Sequence, residues 1–227
     1  MSGQELLFEL PGSGRALFTA RADGNLSSTQ GDSCEHGELA REALRARIGT
    51  GALARTRQVH GTSVRVWDAS SHEPDPRELE GDGHATSAPA LGLTVLTADC
   101  LPVALGAPGA VAMLHAGWRG LSGGILEQGV VALGQLAGGP SDIVAILGPC
   151  AGVCCYEVGP EVHAAFGRPP GASRNLNLRQ IARERLMSAG VNSVLDAEAC
   201  TICDERFFSH RREGARAGRQ GGVAWLS

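Results

Sequence analysis

A chain of 227 residues with 43% hydrophobic content and a net charge of −4 can bury one sizeable core and lacks the basic excess of a nucleic-acid or anionic-membrane binder. All 20 basic residues are arginine, which excludes a phosphate-loop lysine and Schiff-base chemistry and leaves arginine, backbone amides or a metal to hold any anion. Aromatic residues, at 4%, leave few rings for stacking along an oligonucleotide.

Residues 15–20 read as a strand and the polar stretch 23–37 as a loop. Residues 38–48 place Leu39, Ala43, Leu44 and Ile48 near one face, an amphipathic helix ended by Gly49. Residues 55–59 and 63–67 predict short strands flanking His60-Gly61, a hairpin with the histidine at its turn. Residues 70–80 are acidic and proline-containing, a surface loop. The apolar stretch 90–118 is broken by Asp99, Pro102, Pro108 and His115, so it reads as buried strands and not as a membrane span. Within it, strand 91–98 delivers Asp99 and Cys100 at its end, and strands 103–105 and 110–114 flank a glycine-proline turn, the second delivering His115. A helix over 121–136 is weakened by Gly129 and Gly134. Residues 143–147 form a strand, Gly148-Pro149-Cys150 a turn, and Pro160 opens a helix through Phe166. Helix 178–189 is closed by Gly190, strand 191–195 follows, and a basic loop over 211–219 precedes a last strand, 223–226. Strands and helices interleave without strict alternation, so the expected fold is α+β: mixed β-sheets packed with helices in a single compact domain over 1–227. The start Met1-Ser2-Gly3-Gln4-Glu5 lacks the positive residues of a signal peptide, so a cytoplasmic location is expected, with the seven cysteines mostly reduced.

Three segments end on soft-metal ligands: His60, Cys100 and His115. Two imidazoles and a thiolate suit zinc and leave a fourth position for water or substrate, whereas a structural site is ordinarily closed by a fourth protein ligand. Their separations are not a local metal signature, and scattered core and surface residues fit the spacing equally. Asp99 is a candidate proton acceptor or a partner orienting a ligating histidine, or else a cap at the strand end. In His115-Ala116-Gly117-Trp118-Arg119-Gly120 the glycines permit a sharp turn and close approach. Arg119 then offers a planar fork to phosphate or carboxylate, unless the string is only a turn with a packing tryptophan. Arg206, Arg211, Arg212, Arg216 and Arg219 cluster with Phe207, Phe208 and His210, either a phosphate-and-base site or a solvated charge run. Cys200-Thr201-Ile202-Cys203 is a C-x-x-C pair, but Cys150 with Cys154 is one residue too wide for the tightest matching knuckle, so a second zinc site involving Cys150, Cys154 and Cys155 is not expected. The nucleoside-deaminase signature is absent.

Together, Arg57-Gln58-Val59-His60-Gly61, Asp82-Gly83-His84-Ala85-Thr86, LTADCLP from Leu96, HAGWRGL from His115, ILGPCAGVCCYEVG from Ile146, CTICDERFFSHRREG from Cys200 and Gly218-Arg219 resemble the laccase-domain family, also called YfiH-type or multicopper polyphenol oxidase-like proteins. The resemblance runs in order over nearly the whole chain. It implies that His60, Cys100 and His115 hold a catalytic zinc. It also implies an enzyme of purine nucleosides and phosphate: phosphorolysis of adenosine, inosine, guanosine and methylthioadenosine, with adenosine deamination as a further activity. Arg119 and Arg211 are then candidate substrate-binding residues, and Asp99 a candidate catalytic one. The chain departs from the family at Ala40, Asn177 and His210 and in a short loop before Asn175, which touch substrate preference and not the metal trio.

Two rivals use the same residues. Copper-dependent phenol oxidation needs a histidine-rich cluster, and only seven histidines are present, so copper is less expected than zinc. A metal-free Cys100–His115 dyad would instead hydrolyse an amide, thioester or peptidoglycan precursor. A non-enzymatic binding module with a relic zinc site is the third alternative.

Overall fold

The computed structural model describes residues 6–68, 79–139, 142–169 and 174–227. The chain begins with strands β1 (Leu6–Glu9) and β2 (Gly14–Phe18), helix α1 (Gly37–Ile48), and strands β3 (Ala52–Ala54), β4 (Val64–Trp67) and β5 (Gly83–Thr86). Its centre is β6 (Leu91–Thr97), β7 (Leu101–Ala107), β8 (Ala110–Ala116), α2 (Trp118–Gly123), α3 (Ile125–Leu136) and β9 (Val144–Leu147). The remainder comprises α4 (Pro160–Ala165), α5 (Leu178–Ser188), β10 (Ser193–Asp196), α6 (His210–Glu213) and β11 (Gln220–Leu226).

These strands form two mixed sheets, ordered β1-β2-β11-β6-β3 and β10-β9-β7-β8-β5-β4. The sheets stack face to face through Phe18, Leu93, Val95, Ala104, Met113, Ile146 and Ala224. Helices α3 and α5 cover the outer face of the six-stranded sheet through Leu114, Leu126, Leu133, Ile181 and Leu186. Helix α1 covers the other outer face, where Leu44 meets Leu17, Leu53, Val223 and Trp225. The order is helix, sheet, sheet, helix, and the expected mixed α+β domain is what forms. Because both faces of the central strands are covered, β7 and β8 are buried at every position, and near-continuous apolar sequence is what such strands require.

Several local expectations change. Residues 55–59 are not a strand: β3 lies upstream, and β4 pairs with β5 in parallel, so no hairpin forms around His60. The helix expected over 121–136 is two, broken at Gly124, which turns through φ 103°. Gly129 lies within α3 because its missing side chain is needed there: a Cβ would lie 2.4 Å from Leu114 Cδ1. The basic tail is partly helical, with α6 at its start. Of the acidic loop expected over 70–80, residues 70–78 lie outside those described. No helix among the described residues is long and apolar enough to cross a membrane.

Candidate metal centre

His60, Cys100 and His115 meet at one end of the sandwich, with ligand atoms all within 4.8 Å of one another. Cys100 Sγ lies 3.8 Å from His60 Nε2, and the two imidazole rings meet edge to face at 4.9 Å. Different elements deliver each residue. β6 belongs to one sheet and β7 to the other, and the crossing between them runs through Asp99 at φ 86°, so Cys100 sits where the sheets join. His115 is the penultimate residue of β8, paired with Pro102 across the ladder. The His60 loop is clamped to β6 by Gln58, whose side-chain amide donates to Leu96 O at 2.8 Å and accepts from Leu96 N at 2.7 Å.

The centre is organised by Asp82, a residue that sequence reasoning quoted inside a motif without giving it a role. It is fully buried just before β5. Its carboxylate accepts from three consecutive backbone amides, Val59 at 3.1 Å, His60 at 2.9 Å and Gly61 at 2.8 Å, and lies 2.8 Å from His115 Nδ1. His60 adopts φ 60°, a left-handed conformation that lets successive amides converge on one anion. Burial pushes the Asp82 carboxyl up, but His115 and the Gly61 and Val59 amides outweigh it and hold the group below its ordinary 3.8. Once ionised, it takes the Nδ1 proton of His115 as a hydrogen bond and leaves Nε2 free as a ligand.

Two glycines of the HAGWRG string are steric requirements. A Cβ on Gly117 would lie 2.8 Å from His60 Cδ2 and 3.1 Å from Cys100 Sγ, and one on Gly120 would lie 2.7 Å from Gly61 O. Burial alone would raise the Cys100 thiol and lower the His115 imidazole. Each instead stabilises the other's charge, bringing Cys100 to about 6 and His115, with help from Asp82, to about 9.

Asp99 spends its carboxylate away from the histidines. Oδ1 accepts from Thr201 Oγ1 at 2.6 Å and Oδ2 from the Arg211 amide at 2.7 Å, so it seats the first turn of α6 while Asp82 holds the orienting place. Arg211 is exposed, lies over the Tyr156 ring at 4.9 Å and donates to Glu157 O at 2.7 Å. Arg119, also exposed, lies over the Trp118 ring at 4.2 Å. Arg219 is half-buried in the field of Cys100 and Asp99. Arg206 and Arg212 of the basic cluster are structural. Arg206 pairs with Asp204, Arg212 donates to the carbonyls of Thr201, Ile202 and Phe207, and the buried Phe207 and Phe208 rings are met by the guanidiniums of Arg206 and Arg21. Tyr156, the chain's single tyrosine, had no distinguishing spacing in the sequence; burial pushes its hydroxyl up to about 12. Cys154, Cys155, Cys200 and Cys203 converge elsewhere, against the sequence expectation, with sulfurs within 4.8 Å of one another.

The model of the multi-copper polyphenol oxidoreductase laccase family matches residues 14–227. The chain belongs to that family. A purine nucleoside phosphorylase of Xylella fastidiosa (strain Temecula1) is 39% identical over 234 residues, covering 95% of this chain and 88% of its own. Purine nucleoside phosphorylase YfiH of Escherichia coli K12 is 34% identical over 223 residues, covering 89% and 86%. Among solved structures, YlmD of Geobacillus stearothermophilus superposes with a TM-score of 0.84 at 29% identity, covering 94% of this chain and 92% of its own. The Neisseria meningitidis protein NMB0706 gives 0.82 at 30% identity, covering 98% and 99%. For a laccase-family chain, the histidines here are dispersed. His84 is buried against Trp67, His163 is buried in α4, and His36 and His210 are exposed, so no histidine-only cluster forms among the described residues. Of the departures from the family pattern, Asn177 still works as a helix cap, accepting from Gln180 N at 3.1 Å.

Proposed function

We propose that this protein is a zinc-dependent purine nucleoside phosphorylase acting on adenosine, inosine, guanosine and methylthioadenosine, with adenosine deamination as a second outcome at the same site. The observation that carries the reading is the His60–Cys100–His115 set fixed by a buried carboxylate, in a chain whose relatives over nearly full length are named purine nucleoside phosphorylases. The donor set fits zinc: two imidazoles and one thiolate in tetrahedral reach, with one position left for water or substrate. When bound there, zinc supplies Lewis acidity and lowers the pKa of a coordinated water. Asp82 keeps the Nδ1 proton of His115 on its outer side, and Gly117 keeps the space beside His60 and Cys100 open.

Phosphorolysis needs an anion held in line with the glycosidic carbon, and in a chain without lysine that work falls to arginine. Arg119 and Arg211 are the residues we assign to it. Each has its guanidinium braced on one ring, and Arg211 has its backbone fixed by Asp99, which makes Asp99 a positioning residue in this scheme. The test is incubation of metal-loaded protein with adenosine and phosphate, with products separated chromatographically. Adenine with ribose-1-phosphate is the expected pair, and inosine marks deamination. A His115→Ala variant that matched the wild type in both products would remove the site from the scheme.

One observation favours a second reading. Without metal, the mutual stabilisation of Cys100 and His115 is that of a thiolate–imidazolium pair, suited to attack on an amide carbonyl. Zinc-free protein that turns over an amide substrate and is stopped by thiol alkylation would establish the dyad in place of the phosphorylase.

A further inference from the structure

We propose that Cys154, Cys155, Cys200 and Cys203 form a second metal site, holding a zinc ion in a closed tetrathiolate shell. Two turns build it. In one, Cys155 N and Tyr156 N both bond to Gly152 O, and in the other Asp204 N bonds to Cys200 O. The turns are locked together by a parallel bridge, Cys150 N to Ala199 O at 3.3 Å and Thr201 N to Cys150 O at 3.0 Å. All four sulfurs then lie within 4.8 Å of one another. A zinc–sulfur bond of about 2.3 Å places tetrahedral sulfurs about 3.8 Å apart, a separation within the range that these four sulfurs span.

Three further details mark a built site. A Cβ on Gly152 would lie 2.9 Å from Cys200 Cβ, 3.1 Å from Cys200 Sγ and 3.2 Å from Cys154 Sγ, so the absent side chain is what lets the turns close. The Gly152 amide donates to Cys200 Sγ at 3.2 Å, the kind of N–H contact that stabilises a ligating thiolate. Arg212, paired with Glu213, lays its guanidinium on the carbonyls of Thr201 and Ile202 and so fixes the C-x-x-C turn from inside. Cys150, the partner that sequence spacing offers to Cys154, is fully buried in the hydrophobic core with its thiol donating to Ala151 O, and it is Cys155 that joins the group.

The arrangement suits a metal better than a disulfide. Cys203 Sγ is 2.8 Å from Cys155 Sγ and 3.3 Å from Cys154 Sγ, so one sulfur serves two neighbours, and any single disulfide would leave two convergent thiols unused. Thiolates select zinc over hard cations, and its entry releases the thiol protons to solvent. The ion would also brace the main site from behind: Thr201, between Cys200 and Cys203, is the residue whose hydroxyl holds Asp99.

The experiment is metal analysis of protein purified under reducing conditions without chelator. The wild type is expected to carry two equivalents of zinc per chain. Cys154→Ser/Cys203→Ser retains the one at the His60 set, and His60→Ala/His115→Ala retains the one at the cysteines. A measurement on the wild type alone covers the case in which a variant does not fold. In the His60→Ala/His115→Ala variant, titration with a mercurial should release the one remaining zinc, and cobalt replacement should give the intense visible bands of a tetrathiolate. A wild type that holds only one equivalent, all of it retained by the cysteine double variant, would overturn the proposal. So would peptide mapping under non-reducing conditions that finds a Cys155–Cys203 disulfide in freshly isolated protein.

Discussion

Asp82 takes four donors on two oxygens in a position closed to solvent: three backbone amides of the His60 loop and the ring of His115. Asp82→Asn replaces an anion by an amide whose N–H groups would face other N–H groups. We expect the apo protein to lose about 3 kcal/mol in chemical denaturation, as a buried charged network with one member removed does. Zinc affinity, read by chelator competition, should fall about 10–100-fold, the usual effect of removing a ligand's hydrogen-bond partner. An asparagine variant that kept both would mean that His115 is oriented by packing alone. Because its folded pKa lies below 3.8, Asp82 stabilises the fold at every pH above that value and loses the contribution as pH falls through the folded pKa.

At the scale of elements, β5 shows how a four-residue strand can carry a polar load. His84 is fully buried there, with Nδ1 accepting from Trp67 Nε1 at 3.0 Å, and burial lowers its pKa from 6.5 to about 4. The folded ring stays neutral where the unfolded chain takes up a proton, so stability is complete above pH 6.5 and drains as pH falls towards 4. The total is about 3 kcal/mol. His84→Gln, which can still accept from Trp67, should flatten this acid limb in denaturation curves taken between pH 7.5 and 4.5; an unchanged slope would assign it to other groups. Helix α3 supplies a second test. Glycine inside a helix costs about 1 kcal/mol relative to alanine, so Gly129→Ala would ordinarily stabilise. Here the new Cβ meets Leu114 Cδ1 at 2.4 Å, and we expect a loss of about 1–3 kcal/mol from overpacking, seen as a lower Tm. The sequence showed the elements whose apolar period matched their burial, β6, β8, β9 and α5; α1 forms where expected, but of its expected face Leu44 is buried while Leu39 and Ala43 are exposed. It did not show β5, because Gly-His-Ala-Thr has no apolar alternation and is buried by its neighbours instead. His60 read as a hairpin turn because two short apolar runs flank it. The partner of β4 is β5, beyond a long insertion, and local pattern carries no record of such pairing. The metal trio was visible as residue types. Asp82 was not, since a lone acid before a short strand looks like any turn.

For the whole molecule, the metal trio lies where the two sheets are joined, with Gln58 clamped to β6 and Asp82 leading into β5. An ion there would tie the ends of both sheets. Loading should therefore raise the Tm of the entire domain in one transition, with a stabilisation of up to about 4 kcal/mol when free zinc exceeds its Kd about 1,000-fold. Separate transitions on loading would show that the site stabilises only its own loop. β11 has a consequence of another kind. It lies between β2 and β6, so the middle of the five-stranded sheet is filled by a strand some two hundred positions away from the β2 residues it pairs with, as in Gly222 with Phe18. Closing so long a loop is an entropic search that no local contact can shorten, which assigns refolding to the slow, millisecond-to-second regime. Until β11 docks, β2 and β6 both expose unpaired edges. A second unfolded chain offers the same β11, so the yield of refolding should fall with protein concentration through exchange of that strand.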